Sequence, residues 1–216
     1  MTSASTLRPL VAVVALLAAG SSQAAIQVFT DESSFLAALS SYATDTFDDL
    51  MPGQAYDGPL SRSAGSIGYS AWTTPNSPTL YGAGSSSDAW LSSNNAADFI
   101  VFDGFSMPVY AAGAYVFGSD LFGEHSSTGI TAVRVTNEAA EQSVKFKFRA
   151  DTTNYFGFLS DTPLVSFEVK TLYGQRNVTW PTVDDLTLAA VPEPGTYAML
   201  LAGLAAVGFV VRRRKR

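Results

Sequence analysis

The feature that most constrains this chain is its punctuation. Between residues 25 and 190, short apolar runs recur between clusters of Gly, Ser, Asn and Pro. Runs bounded in this way suit strands rather than helices. They cover Ala43 to Phe47, Ser66 to Trp72, Asp98 to Phe102, Val109 to Phe117, Ile130 to Val135, Val144 to Arg149, Tyr155 to Leu159, Leu164 to Leu172 and Val183 to Ala189. Ala25 to Phe29 alternates as well. In Val144-Lys-Phe-Lys-Phe-Arg149 the alternation predicts Val144, Phe146 and Phe148 inward and three cations outward. Thr30 is expected to cap one short helix running to about Leu39, with Asp31 and Glu32 in its first turn. Tyr81 to Asn95, rich in Gly, Ser and Asn, reads as a long loop. The expected fold is mainly β: an antiparallel β-sandwich, jelly-roll-like, with one short N-terminal helix.

The 216 residues are 47% hydrophobic and 15% charged, which is apolar enough to build a core. There is no Cys and only one His, excluding a disulfide scaffold, a thiol nucleophile and any multi-His metal site. Residues 25 to 191 hold seven basic and eighteen acidic side chains, a net charge of −11. Such a body repels nucleic acid, so no nucleic-acid partner is expected. It tolerates calcium and neutral glycans.

Two acid pairs stand out. Asp48 and Asp49 end the first core strand, and Asp184 and Asp185 sit in the last. First and last strands of a closed sandwich are commonly neighbours, which would bring the pairs together as hard oxygen ligands for calcium. The two segments resemble the strand ends of jelly-roll carbohydrate-binding modules. That resemblance implies a structural calcium held by Asp48 and Asp184, with Asp49 and Asp185 as helpers. This chain has Asp where the pattern has Glu, a reach shorter by one methylene.

Trp90, Trp72 and Tyr81 are the leading candidates for glycan stacking, with Trp180, Tyr69, Tyr110, Tyr155 and Tyr173 as further aromatics. Trp90 leads because polar residues surround it. Gly123-Glu124-His125-Ser126-Ser127 places acid, base and hydroxyl side by side, but adjacent side chains rarely aim at one another, and no nucleophile elbow exists. No carboxylate pair is singled out for glycoside hydrolysis. No catalytic residue is therefore assigned and the body is not expected to be an enzyme; a secreted glycan hydrolase or lyase is the alternative.

Both ends read as addresses. Arg8, the apolar run Leu10 to Ala19 and Ser22-Gln23-Ala24 have the form of a secretory signal peptide over residues 1 to 24. Signal peptidase would cut between Ala24 and Ala25. At the other end Val191-Pro192-Glu193-Pro194-Gly195 breaks any helix, an apolar run follows from Tyr197 to Val211, and Arg212-Arg213-Arg214-Lys215-Arg216 closes the chain. Fifteen residues at 1.5 Å rise cover about 22 Å, and snorkelling arginines extend that toward a bilayer span. The basic cluster keeps its end in the cytoplasm and the body outside the inner membrane.

Residues 191 to 216 resemble the PEP-CTERM sorting signal in the order and spacing of its Pro-Glu-Pro motif, transmembrane helix and basic tail. The resemblance implies recognition by exosortase, a membrane-embedded cysteine protease of Gram-negative bacteria that make exopolysaccharide. It further implies removal of the helix and tail, then delivery to the cell surface or extracellular matrix. The division is thus a signal peptide over 1 to 24, a sandwich body over 25 to 190 and a sorting signal over 191 to 216. The expected role is structural or adhesive within exopolysaccharide or biofilm, with weak glycan binding supported by calcium.

Overall fold

The structure, a computed structural model, describes residues 26–147, 149–172, 178–190 and 203–204. Ala24, Ala25, Val191 to Gly195 and Arg212 to Arg216 lie outside these residues, as does the apolar run Tyr197 to Val211 apart from Gly203 and Leu204. Among the described residues no helix is long and apolar enough to cross a membrane.

Among the described residues fourteen strands and one helix follow in order. They are β1 (Ile26–Phe29), α1 (Glu32–Ala38), β2 (Ala43–Asp45), β3 (Ala55–Asp57), β4 (Leu60–Ala64), β5 (Ile67–Thr74), β6 (Thr79–Ser85) and β7 (Asp88–Ser93). Then come β8 (Phe99–Asp103), β9 (Ala111–Ser119), β10 (Ile130–Asn137), β11 (Gln142–Lys147), β12 (Tyr155–Ser160), β13 (Leu164–Leu172) and β14 (Trp180–Ala189). An eight-stranded antiparallel sheet has the order β1-β12-β9-β14-β7-β6-β3, with β2 also paired to β14. A six-stranded sheet, β11-β10-β13-β8-β5-β4, packs against it. The expected sandwich is the observed one, and the first core strand does pair the last, Asp45 opposite Leu186.

Alternation explains the layers. In β5 every second residue is buried, and Ile67, Tyr69 and Ala71 enter the core while Trp72 stays on the outer face. Phe102 touches Tyr69, Phe47 and Phe167 at centroid distances of 5.9, 6.4 and 6.0 Å, and Phe167 reaches Phe158 of the facing sheet at 6.1 Å. Each such ring pair adds about 0.5–1.5 kcal/mol beyond the area it buries.

Three sequence expectations are corrected. Asp31, not Thr30, caps α1: its Oδ1 accepts the Ser34 N–H at 2.8 Å. Tyr81 to Asn95 is not a loop but most of the β6–β7 hairpin. Its strands are built of small residues because the backbone is crowded; a Cβ on Gly82 would lie 2.3 Å from the Met51 carbonyl oxygen. In β11 the alternation is inverted: Val144 and Phe146 are 55% and 58% exposed on the outer face. Lys145 and Lys147 stand opposite Val133 and Thr131 on the core side. β11 is an edge strand, and there the Lys147 stem closes the rim by placing its ammonium over the Phe156 ring at 5.4 Å. Phe148 lies outside the described residues.

Candidate functional site

The outer face of the eight-stranded sheet changes character along its length. At one end it is covered by α1, whose Phe35 seats against Gly113 of β9 and Gly157 of β12. At the other end it opens into a cleft, and a row of acids lies between.

The cleft has a volume of about 220 Å³ and is lined by Tyr81, Ala83, Ser92, Asn94, Trp180 and the turn Asp120 to Gly123, among others. Tyr81 is opposite Ser92 across β6–β7, and Trp180 is opposite Ser119 across β14–β9, so strand register converges these side chains. The Trp180 indole donates to the Asn94 carbonyl at 3.1 Å, which fixes the ring. Thr182 donates to Ser119 at 2.9 Å, and Ser92 and Ser119 share a hydrogen bond at 3.1 Å, giving a polar floor. The roof is an Asp120 turn. Asp120 Oδ1 accepts the N–H groups of Phe122 and Glu124 at 2.8 and 3.0 Å, and Gly84 N–H donates to the Gly123 carbonyl at 3.0 Å. This holds Leu121 and Phe122 at the mouth, 74% and 83% exposed. Two aromatic faces, an exposed apolar lip and a hydroxyl floor suit one ring of a sugar chain, which presents C–H faces and hydroxyls alternately.

The acid row forms where β14 changes partner from β7 to β2. There β14 bulges, with Asp185 in the left-handed region at φ 51°. Asp184 is half-buried opposite Tyr115, and its Oδ1 accepts the Asp185 N–H at 2.9 Å. Burial pushes the Asp184 carboxyl up to about 8, and the charges of Asp185, Asp88 and Asp48 push the same way. Burial also raises Asp185, helped by Glu32, Asp48 and Asp88. Glu32 accepts the Tyr115 phenol at 2.9 Å; burial and that bond push Tyr115 up to about 12. The Tyr155 hydroxyl, 2.5 Å from where a Gly113 Cβ would be, is buried and has no hydrogen-bond partner among the described residues. Asp48 is exposed and accepts the Ala89 N–H at 3.2 Å.

Asp49 belongs to a different constellation. Arg62 on β4 bridges it at 2.6 and 3.1 Å and grips Asp45 at 2.6 and 2.7 Å. Asp45 also accepts the Tyr69 phenol at 2.6 Å and the Phe47 N–H at 3.1 Å. The Arg62 hydrogen bonds hold the Asp49 carboxyl below the usual carboxylate range. The guanidinium lies over the buried Phe47 ring at 5.1 Å, stabilising the left-handed turn at Phe47, φ 57°, that leads into the two acids. Sequence adjacency therefore does not make Asp48 and Asp49 partners. Among the described residues no group of three or more acid or imidazole side chains is arranged to hold a metal ion.

Of the predicted aromatics, Tyr81 lines the cleft. Trp90 shares its sheet face but is packed edge-on against Phe117 at 4.8 Å, with its N–H on Asp88 at 3.3 Å. Trp72 is on the outer face of the other sheet, far from both. Tyr69 and Tyr155 are core residues, and Tyr173 lies outside the described residues. His125 rests its ring on Phe117, with its Nε2 3.1 Å from the Ala150 carbonyl. Sequence reading missed Asp120, Leu121, Phe122, Asp88 and the part played by Glu32. An apolar pair inside a turn closed by Gly was the available signal for the roof.

No curated protein and no solved structure matches the chain. Residues 190–215 match the PEP-CTERM protein-sorting motif, so this chain carries the C-terminal signal of an exported protein that is anchored by its C-terminal end and sorted by an exosortase.

Proposed function

We propose that the sandwich is a polymer-binding module of an exosortase-sorted surface or matrix protein of a Gram-negative bacterium, with a structural or adhesive role in exopolysaccharide or biofilm. The observation that carries this reading is the cleft, where Tyr81 and Trp180 meet a floor of hydroxyls. A body of net charge −11 favours neutral polymer. The test is retention of the exported protein on the producing bacterium's exopolysaccharide. Retention should be saturable and competed by free sugar. Trp180→Ala should weaken it about tenfold, the size of one stacked aromatic, while Trp72→Ala leaves it unchanged. Equal retention of both variants, or none of the wild type, sinks the reading.

Calcium enters this proposal at the acid row rather than in the cleft. Burial is the larger cause that raises Asp184 and Asp185; the repulsion from neighbouring acids that adds to it is what a divalent ion would relieve. The adjacent Asp184 and Asp185 are the ligands we propose, with Asp48 joining only by a rearrangement, since the three are not arranged around one ion; Asp49 is left out because Arg62 bridges it.

A second reading, a secreted glycan hydrolase or lyase, is favoured by one observation: Asp184 is raised to about 8 and would be a protonated acid at neutral pH. Asp184 does not line the cleft described above. Release of reducing ends from the same polysaccharide, lost in Asp184→Asn, would establish this reading in place of the first.

A further inference from the structure

Both chain exits leave the sandwich at one end. Ile26, the first residue of β1, pairs Ser160; the neighbouring Leu159 pairs Ala111, and Ala111 pairs Ala189, the last residue of β14. These residues cross the sheet in one line. The cleft is at the opposite end, where Trp180 starts β14. A ten-residue strand separates the two by about 30 Å.

The same end carries a second concavity of about 430 Å³. Phe105, Met107 and Pro108 of the β8–β9 connection face Pro163 of the β12–β13 turn and Val165 at the start of β13, with Glu138 at the side. It adjoins the exit of β14: Tyr110 N–H donates to the Ala189 carbonyl at 2.8 Å, and Leu164 N–H to the Val109 carbonyl at 2.6 Å. Met107 and Val165 are 36% and 48% exposed. Apolar side chains of this size left open on one end are the mark of a contact surface.

Chain length decides what meets it. Pro192 is the second residue after Ala190, and the apolar run starts at Tyr197. Six residues span at most about 20 Å even when fully extended. A folded protease cannot take Pro192-Glu193-Pro194 without coming against the body. A lipid surface fits the groove less well, because Glu138 and Asp161 at this end would face anionic headgroups.

We propose that the groove formed by Phe105, Met107, Pro108, Pro163 and Val165 docks on the extracytoplasmic surface of the sorting exosortase. The body then stands end-on with its cleft pointing away from the membrane. This rests on the sorting motif, and adds that the enzyme reads the sandwich end as well as the tripeptide.

The experiment uses the full chain in cells holding the cognate enzyme. A photo-crosslinking residue at Met107 or Val165 should give adducts with the protease, and one at Leu121 or Phe122 should give none. Met107→Glu combined with Val165→Glu should slow removal of the tail about fivefold in a pulse-chase, with an unchanged melting temperature. A ten-residue Gly-Ser linker between Ala190 and Val191 should slow it as well, by uncoupling motif from groove. Unchanged processing in both variants, lipid adducts in place of protein adducts, or equal cross-linking from both ends overturns the proposal. Wild-type chain that is never processed would instead count against the sorting reading itself.

Discussion

At the scale of single residues the acids decide most. An unfolded Asp184 has released its proton above its ordinary 3.8, whereas the folded one keeps it to about 8. Between those values the folded state binds more protons, so stability falls as pH rises through the window. Asp185 is shifted in the same direction. Because Asp184 keeps part of its surface in water, the loss is about 1–2 kcal/mol, or roughly 5 °C in melting temperature between pH 5 and 8. Asp184→Asn should flatten that profile and raise the melt at pH 8. Millimolar calcium should raise the wild-type melt at pH 8 and leave Asp184→Asn unmoved; no calcium shift in either protein removes the metal from the account. Sequence showed both acid pairs but not their environments. Left-handed turns at Phe47 and Asp185 re-aim the adjacent carboxylates, and nothing in Asp-Asp spelling announces a turn.

At the scale of elements, the short helix depends on glycines rather than on its own seven residues. A Cβ on Gly157 would lie 2.5 Å from Phe35 Cδ2, and one on Gly113 would lie 2.7 Å from Phe35 Cε1. Gly157→Val should therefore lift α1 from the sheet, costing about 1–3 kcal/mol in thermal unfolding. It should also free the Tyr115 phenol from Glu32, readable as a fall in its pKa toward the ordinary tyrosine value. A retained melt with Glu32 still in place would show that the groove under α1 is looser than these distances. Long strands such as β13 were legible because their cores are β-branched and aromatic. The β6–β7 hairpin was not, because close backbone approach demands Gly and Ala, which spell loop to any reading of propensity. β11 misled for another reason: alternation reports two faces, but only the neighbouring sheet determines which one is covered.

For the molecule as a whole, the sorting signal was the most legible part, since its order of motif, apolar run and basic cluster is linear and needs no fold. The cleft was the least legible, assembled from β6, β7, β9 and β14 together. Deleting Pro192 to Pro194 should leave the chain in the inner-membrane fraction, with its body folded and its melt unchanged; normal release would separate sorting from the motif. One strand joins the two halves of this design. β14 begins at the cleft, ends at the sorting tail, and is bonded on one side to β9 and on the other to β7 and β2. If polymer is held at Trp180 as proposed, a pull between it and a tethered C-terminal end would act along the strand axis. The covalent backbone of β14 would itself carry that load, and the ladder bonds across the axis would hold the strand in register. On that proposal a single central strand would be the cable between the two ends of the sandwich.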